Sequence, residues 1–345
     1  MKTIGVSMRK STRPNINTIS DITGYSKATV SNALNRKRGV KPETSERIFE
    51  VAKELGYINQ LECNKIRFIV YRLPGSDFAE SPVLPMAIKG AERVCEKAGF
   101  EVAVNYLDVS ANSYQQDLEA LLNDRTHGIV IMGSEVEESE IQKFKESNLP
   151  LVLIGYWSDD MDLECLITNA RDSVRKIVEY LNQKGHTKIG YIRSNLRSYP
   201  LRDREEALRF YLDKAGCPLQ EQYVCDVGIS TNGAYESMRK WLEKKPELPT
   251  AFFADNDFMA MGAIRAMKEA GILLPEEVSI IGFDDVPLGE LITPRLTTIH
   301  VEMELMGELA AKKIISIVQD PSRPKSKEVV STSFVERDSV ADRTI

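Results

Sequence analysis

The chain has 345 residues, enough for two or three packed units, and its 42 % hydrophobic and 28 % charged residues are those of a globular protein, not a disordered or fibrous one. No run approaches the ~18 consecutive apolar residues of a membrane-spanning helix, and the start "MKTIGVSMRK" has no apolar stretch behind its basic residues that would act as an export signal. The net charge of −6 conceals an asymmetry. Residues 1–60 carry eleven Lys/Arg against five Asp/Glu, and the remainder 34 against 46, so a basic head suited to a polyanion precedes an acidic body. Chance clustering of charge is the plainer reading of the same numbers.

Three short helices are expected in the head. "NINTISDIT" offers Asn15 as N-cap, with Ile16, Ile19 and Ile22 at helical spacing. Thr23-Gly24-Tyr25 interrupts it, and Ser26 caps a second helix by accepting from the amides of its first turn. In "SKATVSNALN" Val30, Ala33 and Leu34 share an inner face, which leaves Lys27, Ala28, Ser31 and Asn32 outside it. A basic loop, "RKRGVK", follows. Pro42 suits the first position of a third helix with the stripe Ile48, Val51, Ala52, Leu55, and Gly56 ends it.

From residue 66 onward the pattern becomes βαβα. "IRFIVYRL", "GFEVAVNY", "HGIVIMG" and "LPLVLIG" are short runs rich in β-branched residues, separated by helical lengths at 83–99, 112–124 and 138–147. The alternation resumes with "HTKIGYI", "QYVCDVG", "TAFFADN" and "VSIIGFDD", with helices near 202–216, 231–245 and 257–271. A long helix, 303–319, and a final run "KEVVSTSFVERD" close the chain. Such alternation predicts mostly parallel sheets with helices on both faces, in two α/β lobes.

A helix, a short turn containing glycine and a second helix capped by serine form a helix-turn-helix pattern. The second helix of that motif enters a major groove with its first side chains toward base edges. Lys27 and Asn32 carry donors for bases, and Ala28 suits a thymine methyl. Thr29, Ser31, Arg36, Lys37 and Arg38 suit phosphate contacts. The candidate DNA-contacting set is thus Asn15, Ser26, Lys27, Ala28, Thr29, Ser31, Asn32, Asn35, Arg36, Lys37 and Arg38. A structural three-helix cap with a merely solvated polar face fits the spacing too.

The stretches "ATVSNALN" and "TSERIFEVAKELGYI" resemble the headpiece of the lactose/galactose-repressor (LacI/GalR) family. The resemblance continues through "SPVLPMAIKGAE" (81–92), "LNQKGHTKIGYI" (181–192), the long stretch 252–299 and the closing "VERDS" (335–339). It implies an all-α helix-turn-helix headpiece joined to a two-lobed, periplasmic-binding-protein-like α/β effector domain. It places the headpiece at 1–60, a short linker at 58–65, and the effector and dimerisation domain at 66–345. The lobes would comprise about 66–162 plus 294–323 and about 168–289 plus 328–345, with crossings near 162–168, 289–294 and 323–328.

Carried residue by residue, the resemblance puts Arg204 and Asp257 at effector-contacting positions, where an Arg and an Asp can grip paired hydroxyls. An ordinary inter-helix salt bridge is the alternative. Ser81 stands where the family has the Asn of its N-P-F motif. Gly155 stands where it usually ends a strand in Asp or Asn, and Asn169-Ala170 replaces its Asp-Asn pair. Tyr156 and Trp157 are candidates to stack on a ligand, or loop aromatics. These changes remove polar groups from the expected pocket and suit a larger or less hydroxylated effector. The family's hinge, P-N-x-x-A-x-x-L, inserts a leucine into the minor groove. Here "INQLECNK" is shorter and offers only Leu61 as a wedge, so insertion is expected to be absent or reduced.

The five cysteines, at 63, 95, 165, 217 and 225, include no C-x-x-C. Neither a disulfide framework nor a zinc site is expected, and the compartment is a reducing cytoplasm. No phosphate-loop, nucleophile-elbow or dinucleotide fingerprint is present, and the three histidines are far apart, so no catalysis and no cofactor are expected. The Asp284-Asp285 pair is expected to bond locally. With only six residues after R-D-S, no C-terminal tetramerising segment is expected. The expected partners are palindromic operator DNA, a small sugar-like effector and a second copy of the chain, with no membrane. The expected function is that of an allosteric, ligand-responsive repressor. Two rivals remain open at this point: a ligand sensor of the same fold whose head has lost specific DNA binding, and a sugar-acting enzyme.

Overall fold

A computed structural model describes residues 15–34, 40–55, 63–72, 83–133, 136–159 and 161–344. The chain divides into two compact units, Met1–Cys63 with Val318–Pro321, and Asn64–Ile317 with Ser322–Ile345. In the first, three helices, α1 (Ile16–Thr23), α2 (Lys27–Leu34) and α3 (Pro42–Glu54), pack around Ile19, Val30, Ala33, Ile48, Val51 and Ala52, all buried. Ile16, Leu34 and Leu55 flank that core. Ile22 does not join it and is 52 % exposed. A strict three-residue spacing rotates by about 60° per step on an α-helix, so Ile22 has turned off the face that Ile16 and Ile19 share.

The second unit opens with a six-stranded, all-parallel sheet. Its strands are β1 (Lys65–Arg72), β2 (Glu101–Asp108), β3 (His127–Met132), β4 (Leu151–Ile154), β5 (Glu164–Thr168) and β11 (Lys327–Val330), in the order β11-β5-β4-β3-β1-β2. Helices α4 (Val83–Ala98), α5 (Tyr114–Asn123) and α6 (Glu138–Ser147) connect them. Every residue of β3 and β4 is buried, as expected of parallel strands covered on both faces.

The second lobe holds α7 (Ala170–Gln183), β6 (Ile189–Ser194), α8 (Tyr199–Lys214), β7 (Val224–Val227), α9 (Thr231–Glu243), β8 (Ala251–Ala254), α10 (Asp257–Glu269) and β9 (Ser279–Ile281). Its four strands are parallel in the order β7-β6-β8-β9. An antiparallel pair, β10 (Thr298–Val301) with β12 (Thr332–Val335), adjoins β9 through bridges at Ile281–Thr297 and Asp284–His300. The long α11 (Met303–Gln319) returns to the first lobe. There a Cβ at Gly90 would stand 1.9 Å from the Glu304 carbonyl oxygen, and one at Gly307 1.8 Å from that of Ala87. Only glycines allow α4 and α11 to touch backbone to backbone.

The chain therefore crosses between lobes at 168–170, 301–303 and 330–332, later at each point than the sequence suggests. Two features displace the expectation. "ECLIT" is a full strand of the first sheet, and the single run "KEVVSTSFV" is two strands, β11 in one lobe and β12 in the other. Among the described residues no helix is long and apolar enough to cross a membrane.

Candidate DNA-reading helix and ligand cavity

In the head, the Asn15 side chain accepts from the Asn17 and Thr18 amides at 2.9 and 3.2 Å, so it caps α1 and is committed to the fold. Gly24 ends that helix at φ 75°, donating to the Ser20 carbonyl, in a conformation that a side chain would strain. Ser26 Oγ accepts from the Thr29 amide at 3.1 Å and lies 2.8 Å from the Thr29 hydroxyl. These two side chains thus cap α2 while remaining at its entrance. Lys27 and Ala28 are exposed, and Ser31 and Asn32, one turn further on, are partly exposed. With Val30 and Ala33 buried, α2 presents a polar, partly cationic outer face. Asn35, Arg36, Lys37 and Arg38 lie outside the described residues, as do Leu61 and Ser81.

In the body, a cavity of about 290 Å³ opens where the two lobes face each other, near the lower end of the ~300–1,000 Å³ usual for small-ligand sites. The first turns of α7, α8, α9 and α10 border it through Ala170, Tyr199, Thr231 and Phe258, together with the N-cap residues Ser198, Ser230 and Asn256. Their free amides give the second lobe's wall a positive character that favours oxygen-rich ligands.

Arg204 lines this cavity and is only 6 % exposed. Its guanidinium lies over the Phe283 ring at 3.6 Å from the centroid, donates from Nη1 to the Asp255 carbonyl, and holds Nη2 3.7 Å from Asp284 Oδ1. Its Nε has no hydrogen-bond partner among the described residues, and neither has the Ser198 hydroxyl. Behind it, the buried Asp255 carboxylate accepts from the Ser194 amide at 2.8 Å, Arg197 Nη1 at 3.3 Å and the Tyr191 hydroxyl. The cation at the cavity is therefore oriented by a second layer that is itself hydrogen-bonded.

Asp284 completes the polar corner. Its carboxyl is raised to about 6, chiefly by burial, with Arg204 opposing the rise and Asp255 adding to it. Its backbone sits at φ 112° and that of Asp285 at 58°. Two consecutive non-glycine residues in this region carry strain that the surrounding structure must hold. Asp285 does the holding: it accepts from Arg337 Nη2 at 2.6 Å and lies 2.9 Å from His300 Nδ1. The pair does not bond locally as expected: Asp285 is held by residues 15 and 52 positions away, and Asp284 faces the cavity.

Asp257 is not at the cavity. It is fully buried, accepts from the Val286 amide at 2.8 Å and the Thr298 hydroxyl at 2.6 Å, and ties α10 to the 282–286 loop and β10. Its carboxyl is raised well above the usual range, chiefly by burial and then by Asp284. The cavity-facing residues at this corner are the preceding Asn256 and the following Phe258. Tyr156 is a core residue of the first lobe, and Trp157 donates to Asp159 at 2.8 Å beneath Lys327. Neither lines the cavity. Gly155 and Ala170, where polar residues were expected to be missing, do line it.

Two family models match the chain: bacterial regulatory proteins, lacI family, over residues 15–60, and periplasmic binding protein-like domain over residues 178–340. The head is a lacI-family helix-turn-helix domain and the body a periplasmic-binding-protein-like domain. The chain resembles the probable HTH-type transcriptional repressor ExuR of Bacillus subtilis, at 28 % identity over 94 % of this chain and 98 % of that one. It is 27 % identical to the ribose operon repressor of Escherichia coli, over 93 % and 98 % of the two chains. Its fold matches that of a transcriptional regulator CelR–cellobiose complex with a TM-score of 0.73 at 22 % identity, covering 95 % of this chain and all of the other. The chain therefore joins a lacI-family helix-turn-helix head to a periplasmic-binding-protein-like body.

Proposed function

We propose that the protein is a cytoplasmic repressor that binds a palindromic operator as a homodimer and changes its operator affinity when a small sugar-like molecule fills the cavity between the lobes. The observation that carries this reading is Arg204: a cation almost fully buried at a cavity wall, with one nitrogen unpartnered and the Asp284 carboxylate beside it. An Arg and a carboxylate side by side offer donors and acceptors to neighbouring hydroxyls. Two similar proteins, a ribose operon repressor and a regulator in complex with cellobiose, agree with that chemistry.

On the DNA side, Lys27, Ala28, Ser31 and Asn32 are the proposed base-facing residues, with Ser26 and Thr29 at the helix entrance. Asn35, Arg36, Lys37 and Arg38 are proposed for the phosphates and Leu61 for the linker. Two heads related by a two-fold axis read two half-sites about one helical turn apart, which makes a dimer the natural unit. Effector binding would favour one lobe arrangement and so alter the presentation of the heads.

The proposal assigns no catalysis and no cofactor. His186 is buried with its ring nitrogens 3.0 Å from the Thr250 hydroxyl and the Ala341 carbonyl, and His300 is engaged with Asp285; both serve packing. Selection of binding sites from random duplex DNA with the full-length protein tests the reading. An enriched inverted repeat is expected, and enrichment of no sequence would contradict it.

A further inference from the structure

The two walls of the cavity differ in chemistry. The second lobe supplies the charged and hydrogen-bonding side chains, Arg204, Asp284, Asp203, Asn256 and the hydroxyls of α8 and α9. The first lobe and its returning helix supply Val83, Met132, Ile154, Ile167, Met303 and Met306. Among the described residues on that side only Thr168 adds a polar side chain.

We infer that the effector is a sugar with one apolar end, carrying a deoxy carbon or an aryl or alkyl substituent, held by its hydroxyls on the second lobe and by its apolar group against the methionine-rich wall of the first. This rests on the sugar-like reading of the cavity given above. A fully hydroxylated sugar closed between these walls would turn hydroxyls toward Met132, Ile154, Met303 and Met306, where among the described residues Thr168 is the only polar side chain, and each buried unpaired hydroxyl disfavours binding. An apolar group placed there instead leaves water for a dry surface. Methionine suits the task because its unbranched, polarisable side chain adapts to irregular apolar shapes and aromatic rings.

The test is calorimetric titration of the full-length wild-type protein with matched pairs: L-rhamnose against L-mannose, L-fucose against L-galactose, and the phenyl β-glycosides of glucose and galactose against the free sugars. In at least one pair the apolar member should bind at least about tenfold more tightly, in line with what one methylene is worth in an apolar pocket. Binding of the hydroxylated members as tightly as their apolar counterparts overturns the inference and leaves the sugar-like reading standing. Absence of binding by every member of every pair overturns both.

Discussion

The Arg204 guanidinium stacks on the Phe283 ring at 3.6 Å from the centroid while its Nη2 stays 3.7 Å from Asp284. Stacking and the bond from Nη1 to the Asp255 carbonyl, not a tight ion pair, fix the orientation of this cation, which leaves donors available to a ligand. Lysine can neither stack in this way nor present a planar fork. Arg204→Lys should weaken effector binding at least about tenfold, or ~1.4 kcal/mol, as read by calorimetry.

Asp257 is a stability residue on this geometry. Asp257→Ala would strand the Val286 amide and the Thr298 hydroxyl in a buried setting, at about 1–3 kcal/mol each. The urea midpoint should fall by an amount equivalent to roughly 3 kcal/mol. Asp257→Asn, which keeps an acceptor oxygen, should lose less. A wild-type midpoint in the Ala variant would show that these bonds contribute nothing.

Stability should depend on pH through Asp284. Its carboxyl titrates near 6 in the folded protein, against an ordinary 3.8, so the folded state binds more protons than the unfolded between those values. The contribution is complete below about pH 4 and is lost as pH rises through 6. A shift of this size corresponds to an order of ~1–3 kcal/mol. Asp284→Asn should therefore remove part of any fall in stability between pH 4 and pH 6.5 measured by thermal unfolding. Equal pH profiles for the two proteins would refute the assignment.

Gly90 faces the backbone of α11, and a methyl group there would overlap the Glu304 carbonyl. Because the obstacle is main chain, no rotamer change relieves it. Gly90→Ala should destabilise the body by about 2 kcal/mol or more and lower its melting temperature, whereas an alanine at Gly99, where nothing lies within 4 Å of the added carbon but φ is 73°, tests backbone strain alone.

On α2, Asn32→Ala should reduce affinity for a selected operator by about 1–3 kcal/mol and relax preference at one base position. Lys27→Ala tests whether that cation reads a base or a phosphate: a uniform loss across sequences with a shallower salt slope marks a phosphate contact. Electrophoretic mobility shifts on matched and single-mismatch operators at two salt concentrations separate the cases.

The head was legible because its signals are local. Asn15, Gly24 and Ser26 mark helix ends through bonds to residues two to four positions away, and such spacing is visible in a sequence. The cavity was legible only in part. Arg204 was found by resemblance, but "ADND" offers two acids and an amide in a row. Which of them faces the cavity depends on the N-cap at Asn256, which turns Asp257 inward and its neighbours outward. Asp284 escapes a sequence reading because its orientation depends on a φ of 112°, which aspartate adopts more readily than most residues but which its sequence neighbours do not signal. The lobe crossings were misplaced for a similar reason. No proline or glycine separates β11 from β12, so only their hydrogen-bonding partners reveal that the chain has changed sheets.

The most direct test is to titrate the selected operator with full-length protein in the absence and presence of a saturating sugar ligand identified by calorimetry, with Arg204→Ala in parallel. Control of DNA binding from the cavity predicts that the ligand shifts operator affinity of the wild type at least about tenfold, a coupling of ~1.4 kcal/mol, and shifts that of the variant little. Operator affinity unchanged by a ligand that demonstrably occupies the wild-type cavity would contradict it.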